Sequence, residues 1–215
     1  MDIAAELAEI STYGGFFAVK VGGDPTGWHP VTTSYTDGFT DLIDVTNTRL
    51  ASSEPRIGAS LVHLAHAARL WSLVLACVLA HGVLPDLTDL QRADDSAQLR
   101  LPEPVGETVP PDPELLYCVV VQDHMERFAA GLRVNLAPGL RSGNIASALT
   151  GTARMLLAAR PDLRGPITRT TAALLDIGEL AGTGELVGPD LGFRRNSCCL
   201  YYRVPGGGKC GDCGL

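Results

Sequence analysis

The sequence contains no complete nucleotide-binding motif. Gly182 and Gly184 come nearest to a glycine-rich dinucleotide loop, but no strand–helix unit surrounds them and the third glycine is misplaced. A phosphate-binding P-loop is also missing from the sequence. The chain is therefore not expected to hold NAD(P)H or a flavin through a familiar motif.

The sequence also has no excess of positive charge. It contains 17 Lys and Arg against 24 Asp and Glu, which gives a net charge of −7. A nucleic-acid-binding surface needs a dominant basic patch, so this balance argues against nucleic acid as a partner. Met1 leads into Asp2 and Glu6 without the basic segment of a signal peptide. We therefore expect a cytoplasmic protein, in which clustered cysteines are metal ligands and not disulfides.

One long stretch has almost no charge. From Ile57 to Pro85, Arg69 is the only Asp, Glu, Lys or Arg. The stretch is long enough to span a bilayer, but an arginine near the centre of such a helix costs about 2.5–3.5 kcal/mol on insertion. We predict a buried core helix and no transmembrane segment, and we leave peripheral membrane contact open. His63 and His66 on this helix are expected to be satisfied polar groups of the bundle.

The rest of the pattern is mostly helical. With 46% hydrophobic and 19% charged residues the composition is that of a globular protein. The sequence predicts an α+β protein, predominantly helical, with a small antiparallel sheet and a C-terminal cluster loop. Its expected parts are a helical body (1–185) and a C-terminal cluster-binding segment (186–215). Predicted helices cover 2–10, 55–81, 112–133, 142–160 and 166–180, and strand-like segments cover 16–21, 28–35, 98–101 and 193–204.

Cysteine is scarce until the C-terminal end. Cys77 and Cys118 lie in apolar helices, where buried structural thiols are the default. The other four fall within sixteen residues at the spacing C-C-x10-C-x2-C, and they are Cys198, Cys199, Cys210 and Cys213. Four thiolates close together in sequence favour binding of either Zn(II) or an iron–sulfur cluster.

The two cysteine pairs differ in what they can bind. The spacing of Cys210 and Cys213 lets both sulfurs face one metal centre, whereas the adjacent Cys198 and Cys199 point to opposite sides of an extended chain. Structural zinc sites usually space their ligands by two to four residues. A [2Fe–2S] cluster is larger and is reached more easily by adjacent thiolates, so this cofactor is favoured. Structural zinc, disulfides and free thiols remain alternatives.

The tail is basic within an acidic chain. It carries Arg194, Arg195, Arg203 and Lys209, while Asp212 is the only acidic residue from position 193 onward. A cluster held by four thiolates is anionic and becomes more so on reduction. We therefore expect these cations to stabilise the reduced cluster or to contact a substrate or an acidic partner. The alternative is a solvated basic tail.

Four aromatic or imidazole side chains are further candidate contacts. Tyr201 and Tyr202 follow Cys199 closely, so they are expected to shield the metal centre or to face a substrate. Trp28 and His29 are candidates for lining a pocket for a bulky ligand. Ordinary packing of a strand on a helix would give the same pattern, so it remains an alternative for Trp28 and His29.

The cysteine spacing resembles that of the FhuF family of ferric-siderophore reductases. All four cysteine positions match, over about a tenth of the chain, and Gly192–Arg195, Arg69–Trp71 and Ser142–Asn144 resemble the family more loosely. The resemblance implies a [2Fe–2S] cluster on the four cysteines, which reduces Fe(III) chelated by a siderophore of the hydroxamate class. It places the siderophore-binding side on the helical body. It also implies an external electron donor such as a ferredoxin or a flavin reductase. A ferredoxin-like electron carrier and a zinc-binding structural or interaction module are the alternative functions.

Overall fold

Helix α4 (Pro55–His81) lies at the centre of the computed structural model, which describes residues 1–214. Pro55 occupies the first turn, where its missing N–H is no loss, and Gly82 ends the helix with a left-handed cap at φ 67°. The helix is long and apolar enough to cross a membrane, but 72% of its most apolar window is buried in the protein. Leu70 and Trp71 are fully buried. The predicted core helix is confirmed.

The other helices surround α4, with α7 and α3 packed along it. All five predicted helices are present. The ends of α4 are as predicted, those of the other four are shifted, and a stretch of π-helix over 118–125 interrupts the third helix. Residues 1–214 form the helices α1 (Ala4–Ile10), α2 (Val31–Asp37), α3 (Thr40–Arg49), α4, α5 (Pro113–Tyr117), α6 (Glu126–Gly131), α7 (Pro138–Ala159) and α8 (Arg164–Leu175).

The strands are short and form three small sheets in the described chain. A four-stranded sheet has the order β1-β5-β4-β2, and β3–β6 and β7–β8 are two-stranded. The α+β class is confirmed, although the larger sheet is mixed because β1 pairs with β5 in parallel. The strands are β1 (Lys20–Val21), β2 (Trp28–Pro30), β3 (Val83–Pro85), β4 (Gln91–Ala93), β5 (Leu99–Leu101), β6 (Gly106–Thr108), β7 (Gly184–Val187) and β8 (Gly192–Arg195).

Three predicted strands are corrected. The one expected over 193–204 ends at Arg195, and Tyr201–Arg203 forms a 3-10 turn. The strand expected over 28–35 ends at Pro30, and the β-branched residues after it form α2. Helix α2 packs against α6 so closely that a Cβ on Gly131 would lie 1.7 Å from the carbonyl oxygen of Tyr35. Tertiary packing therefore overrides the local strand propensity. The strand expected over 16–21 is reduced to its last two residues.

A buried histidine cluster lies between α4, α2 and the π-helical segment. The hydroxyl of Tyr35 is 2.9 Å from Nε2 of His66 and 2.8 Å from Nδ1 of His124. His63 is fully buried with its ring 5.2 Å from that of Phe128, and neither ring nitrogen has a hydrogen-bond partner within residues 1–214. The expectation of a satisfied polar group therefore holds for His66 and is wrong for His63.

Burial lowers the pKa of all three histidines. It lowers the pKa of His63 to about 3, helped by the charges of Arg141 and Arg195, and that of His124 to about 4. The pKa of His66 is also well below its usual range because of burial. The folded protein therefore binds fewer protons than the unfolded chain below pH ~6.5, and its stability falls as the pH drops from there towards 4.

Replacing His63 with leucine should weaken this pH dependence. The substitution removes a buried polar group that has no partner, so His63→Leu is expected to be neutral or stabilising near pH 5. It should lower the pH slope of the unfolding free energy by up to about 1.4 kcal/mol per pH unit below pH ~6. Urea unfolding at several pH values measures the slope, and equal slopes in the two proteins would contradict the assignment.

Candidate metal centre

The β7–β8 hairpin places the cysteine-containing tail on the helical body. Strand β8 packs against α7, and the tail continues directly from it. The backbone N–H of Arg195 donates to the carbonyl of Asp212 over 3.1 Å, and that of Asn196 donates to Thr183 over 2.8 Å. The end of the chain is therefore folded back onto β8, which brings the second cysteine pair beside the first.

A buried hydrogen-bond network anchors the first cysteine pair. Ser60 on α4 donates its hydroxyl to the carbonyl of Cys199 over 2.8 Å. The amide of Asn144 on α7 donates to the Ser60 carbonyl over 2.9 Å and accepts from Nη2 of Arg195 over 2.8 Å. Ser60 and Asn144 are fully buried, and Cys199 is nearly so. We call these four residues the anchor network.

The tail packs against helix α7 at Gly143. A Cβ on Gly143 would lie 2.1 Å from the hydroxyl of Ser197 and 3.0 Å from Nη2 of Arg195. One turn further along α7, the hydroxyl of Ser147 donates to the carboxylate of Asp212. The lack of a side chain at Gly143 therefore allows the tail to lie directly on the helix.

The thiols of the tail are close together and unpaired. None of the cysteines forms a disulfide, and the backbone N–H of Leu200 donates to Sγ of Cys198 over 3.3 Å. Burial, a hydrogen bond between Cys210 and Cys199, and the nearby Cys213 together raise the pKa of Cys210 to about 12. Thiols crowded in this way resist ionisation until a cation lies between them. This donor set therefore fits a sulfur-ligated metal.

The arrangement of the cysteines in two pairs bears on the choice between a single ion and a cluster. Structural zinc takes four ligands in a tetrahedron around one ion. In a [2Fe–2S] cluster, by contrast, the four thiolates are divided between two irons. The two neighbouring cysteine pairs of the tail suit the second arrangement better.

Comparison with known families decides the cofactor. Residues 195–214 match the family model described as the FhuF 2Fe-2S C-terminal domain. The similarity is confined to this segment, which we call the FhuF-type domain below. The matched range contains all four tail cysteines, so the predicted resemblance and the predicted [2Fe–2S] cofactor are confirmed. Searches of curated proteins and of solved structures returned no match.

Two surface cations of the tail, Arg194 and Arg203, are paired with acidic residues from earlier in the chain. Arg194 forms an ion pair with Glu185 on the opposite strand of the hairpin. Arg203 lies 3.1 Å from both carboxylate oxygens of Glu54, at the start of α4. The surface of the tail therefore carries less unpaired positive charge than its sequence suggests. Lys209 is exposed near the second cysteine pair.

The fourth cation, Arg195, lies in the interior. Its side chain is 1% exposed, so the predicted substrate or partner contact does not hold for this residue. The anchor network that it joins was not foreseen, because Ser60 is one small polar residue in an apolar helix. The looser family resemblance of Ser142–Asn144 was the one sequence signal for the α7 side of the network.

The two tail tyrosines face solvent beside the cysteines. Tyr201 is 37% exposed and Tyr202 is 43% exposed, and the guanidinium of Arg203 lies 5.6 Å from the ring centroid of Tyr202. Their rings give the FhuF-type domain an exposed aromatic surface next to the buried Cys199. Such rings supply apolar contact area together with a polar hydroxyl.

Trp28 and His29 lie on the mixed sheet. His29 is 2.6 Å from Asp94 and 2.8 Å from the hydroxyl of Ser34, and it borders a cavity of about 440 Å³. The guanidinium of Arg100 lies 6.0 Å from the Trp28 ring. Within residues 1–214 no hydrogen bond or ring contact joins this pair to the cysteines. Their role in a ligand pocket stays a prediction.

The glycine triplet of the cysteine loop provides a matched test of the loop geometry. A Cβ on Gly207 would lie 2.6 Å from the carbonyl oxygen of Tyr201 and 2.9 Å from that of Val204, whereas one on Gly208 meets nothing within 4 Å. Gly207→Ala is therefore expected to destabilise the loop by about 1–3 kcal/mol and to speed loss of the visible absorption on warming. Gly208→Ala is the control, and equal rates of loss would contradict the loop geometry.

Proposed function

We propose that this protein is a ferric-siderophore reductase, which reduces chelated Fe(III) to Fe(II) by one electron. The proposal rests on the match of residues 195–214 to the FhuF 2Fe-2S C-terminal domain. The body, about 180 residues, is larger than an electron carrier alone would need. This size favours a protein that also binds a substrate.

The proposed cluster ligands are Cys198, Cys199, Cys210 and Cys213. The proposal is supported by the contact between Cys199 and Cys210 and by the position of Cys213 near them. The anchor network holds the backbone of the first pair, and the bond between Arg195 and Asp212 holds the loop of the second. The body thus orients both pairs before the cofactor enters.

The bound cofactor supplies single-electron chemistry, and the task of the chain is to bring a ferric chelate near it. Hydroxamate oxygens are hard anions that hold the small Fe(III) ion tightly and the larger Fe(II) ion weakly. One electron therefore turns a tight complex into a labile one, without a general acid or a covalent nucleophile. Tyr201 and Tyr202 are the proposed contact surface, because they are exposed beside Cys199.

The electron is proposed to come from a separate protein in the cytoplasm, such as a ferredoxin or a flavin reductase. The sequence has no complete nucleotide-binding motif through which the chain would hold NAD(P)H or a flavin itself. The same exposed surface beside the cysteines suits a docking donor. Donor and substrate would then use it in turn.

Replacing one ligand should remove the chromophore. Each of the four single Cys→Ser variants of the tail is expected to lose most of the visible absorption and bound sulfide after anaerobic purification, because serine is a poor ligand for these irons. Cys77→Ser is the matched control, since Cys77 is buried in α4. Full absorption in any tail variant would contradict the assignment of that cysteine.

The reductase activity is tested by stopped flow. The chemically reduced protein should be reoxidised by ferric hydroxamates with a rate that saturates, because the substrate binds before the electron moves. The gallium complexes of the same siderophores should compete, since Ga(III) has the charge and similar size of Fe(III) but is not reduced. A rate that rises linearly with every ferric chelate and is insensitive to gallium complexes would indicate a carrier, and the reductase proposal would fail.

A further inference from the structure

Arg195 is buried beside the cysteines and is only partly hydrogen-bonded. Its Nη2 donates to Asn144 over 2.8 Å, to Ser197 over 3.2 Å and to the carbonyl of Leu140 over 3.4 Å. Its Nε and Nη1 are buried and have no hydrogen-bond partner within residues 1–214. Two strong donors on a buried cation are therefore left without acceptors, which is rare in folded proteins because it is costly.

The acidic groups that act electrostatically on this cation are three tail thiols and one carboxylate, those of Cys199, Cys210, Cys198 and Asp212. Asp212 accepts a hydrogen bond from Ser147 and lies 3.8 Å from Arg154, so its carboxylate is also engaged elsewhere. The sulfurs and the atoms that they bind are therefore the acceptors available to the two unpartnered donors.

The anchor network determines how the guanidinium is oriented. A guanidinium is planar, and its five N–H groups form a rigid fork. Because Asn144 holds Nη2, the plane of the rigid guanidinium also fixes the directions in which Nε and Nη1 point. Asn144 is itself fixed by Ser60, which also holds the backbone of Cys199. The arginine and the first cysteine pair are thus positioned by one set of buried contacts.

We infer that Arg195 donates Nε–H and Nη1–H hydrogen bonds to the sulfurs of the bound cluster and raises its reduction potential. This inference rests on the proposed ligation by the tail cysteines. Reduction adds negative charge to the cluster, and N–H donors and a nearby cation stabilise the more negative state. The neighbouring Arg194 should have a smaller effect, because its side chain is 65% exposed and pairs with Glu185.

The reduction potential is the first test. In a redox titration of the holoprotein at a fixed solution potential, Arg195→Met should lower the ratio of reduced to oxidised cluster about tenfold, a shift of about 59 mV for one electron. Arg194→Met is the neighbouring control and should change the ratio less than twofold, because its charge is exposed and already paired. Equal shifts in the two variants, or none in Arg195→Met, would overturn the inference.

A second test does not require Arg195→Met to bind the cofactor. The wild-type holoprotein is prepared with arginine labelled with ¹⁵N only in the guanidinium group, and the reduced form is studied by pulsed EPR. A ¹⁵N coupling to the cluster spin is expected in the wild type and in Arg194→Lys. Its absence from the wild type would overturn the inference even if ferric siderophores were reduced normally, so this failure is distinct from failure of the proposed function.

Discussion

The position of the cysteine loop depends on the hydrogen bond that Ser60 donates to the carbonyl of Cys199. The tail from residue 196 contains little regular structure, one short 3-10 turn over Tyr201–Arg203. Two backbone hydrogen bonds, from Arg195 to Asp212 and from Asn196 to Thr183, join it to the hairpin. The buried hydroxyl of Ser60 on α4 holds the Cys199 carbonyl, and Asn144 links this serine to Arg195 through hydrogen bonds to both. A buried hydrogen bond contributes about 1 kcal/mol, but leaving its partners unpaired costs about 1–3 kcal/mol.

The two central helices, α4 and α7, also hold the cysteine loop in position. Helix α4 is apolar nearly all round because it is covered by α3, by α7 and, at its N-terminal end, by the tail. Helix α7 contributes small and polar residues where it meets the tail, with Gly143 allowing close approach and Ser147 binding Asp212. The body thus supplies a rigid support for a loop that lacks a fold of its own, as precise placement of metal ligands requires.

The sequence alone predicted the parts of this structure that local chemistry determines. The limits of α4 follow from Pro55 and Gly82, and the cofactor follows from the spacing of four cysteines. The helix α2 was missed because its β-branched residues favour a strand until packing against α6 is taken into account. The strands β3, β4 and β6 are three residues long, too short for a periodicity to be visible.

The pairing of charges in the tail also could not be predicted from the sequence. Counted along the tail, the arginines form one basic group, but in space Arg194 and Arg203 are paired with acids from other segments and Arg195 is buried. Only the fold distinguishes the buried cation from those at the surface. Long-range contacts of this kind, such as the one between Arg203 and Glu54, have no signature in the local sequence.

The most direct test of the account is the Mössbauer spectrum of the oxidised protein reconstituted with ⁵⁷Fe and sulfide. The account predicts two high-spin ferric ions per chain, both in sulfur coordination and coupled to a diamagnetic ground state, as in a [2Fe–2S] cluster held by four cysteines. A spectrum of isolated single irons, or a protein that takes up one zinc ion and no sulfide under the same conditions, would contradict it.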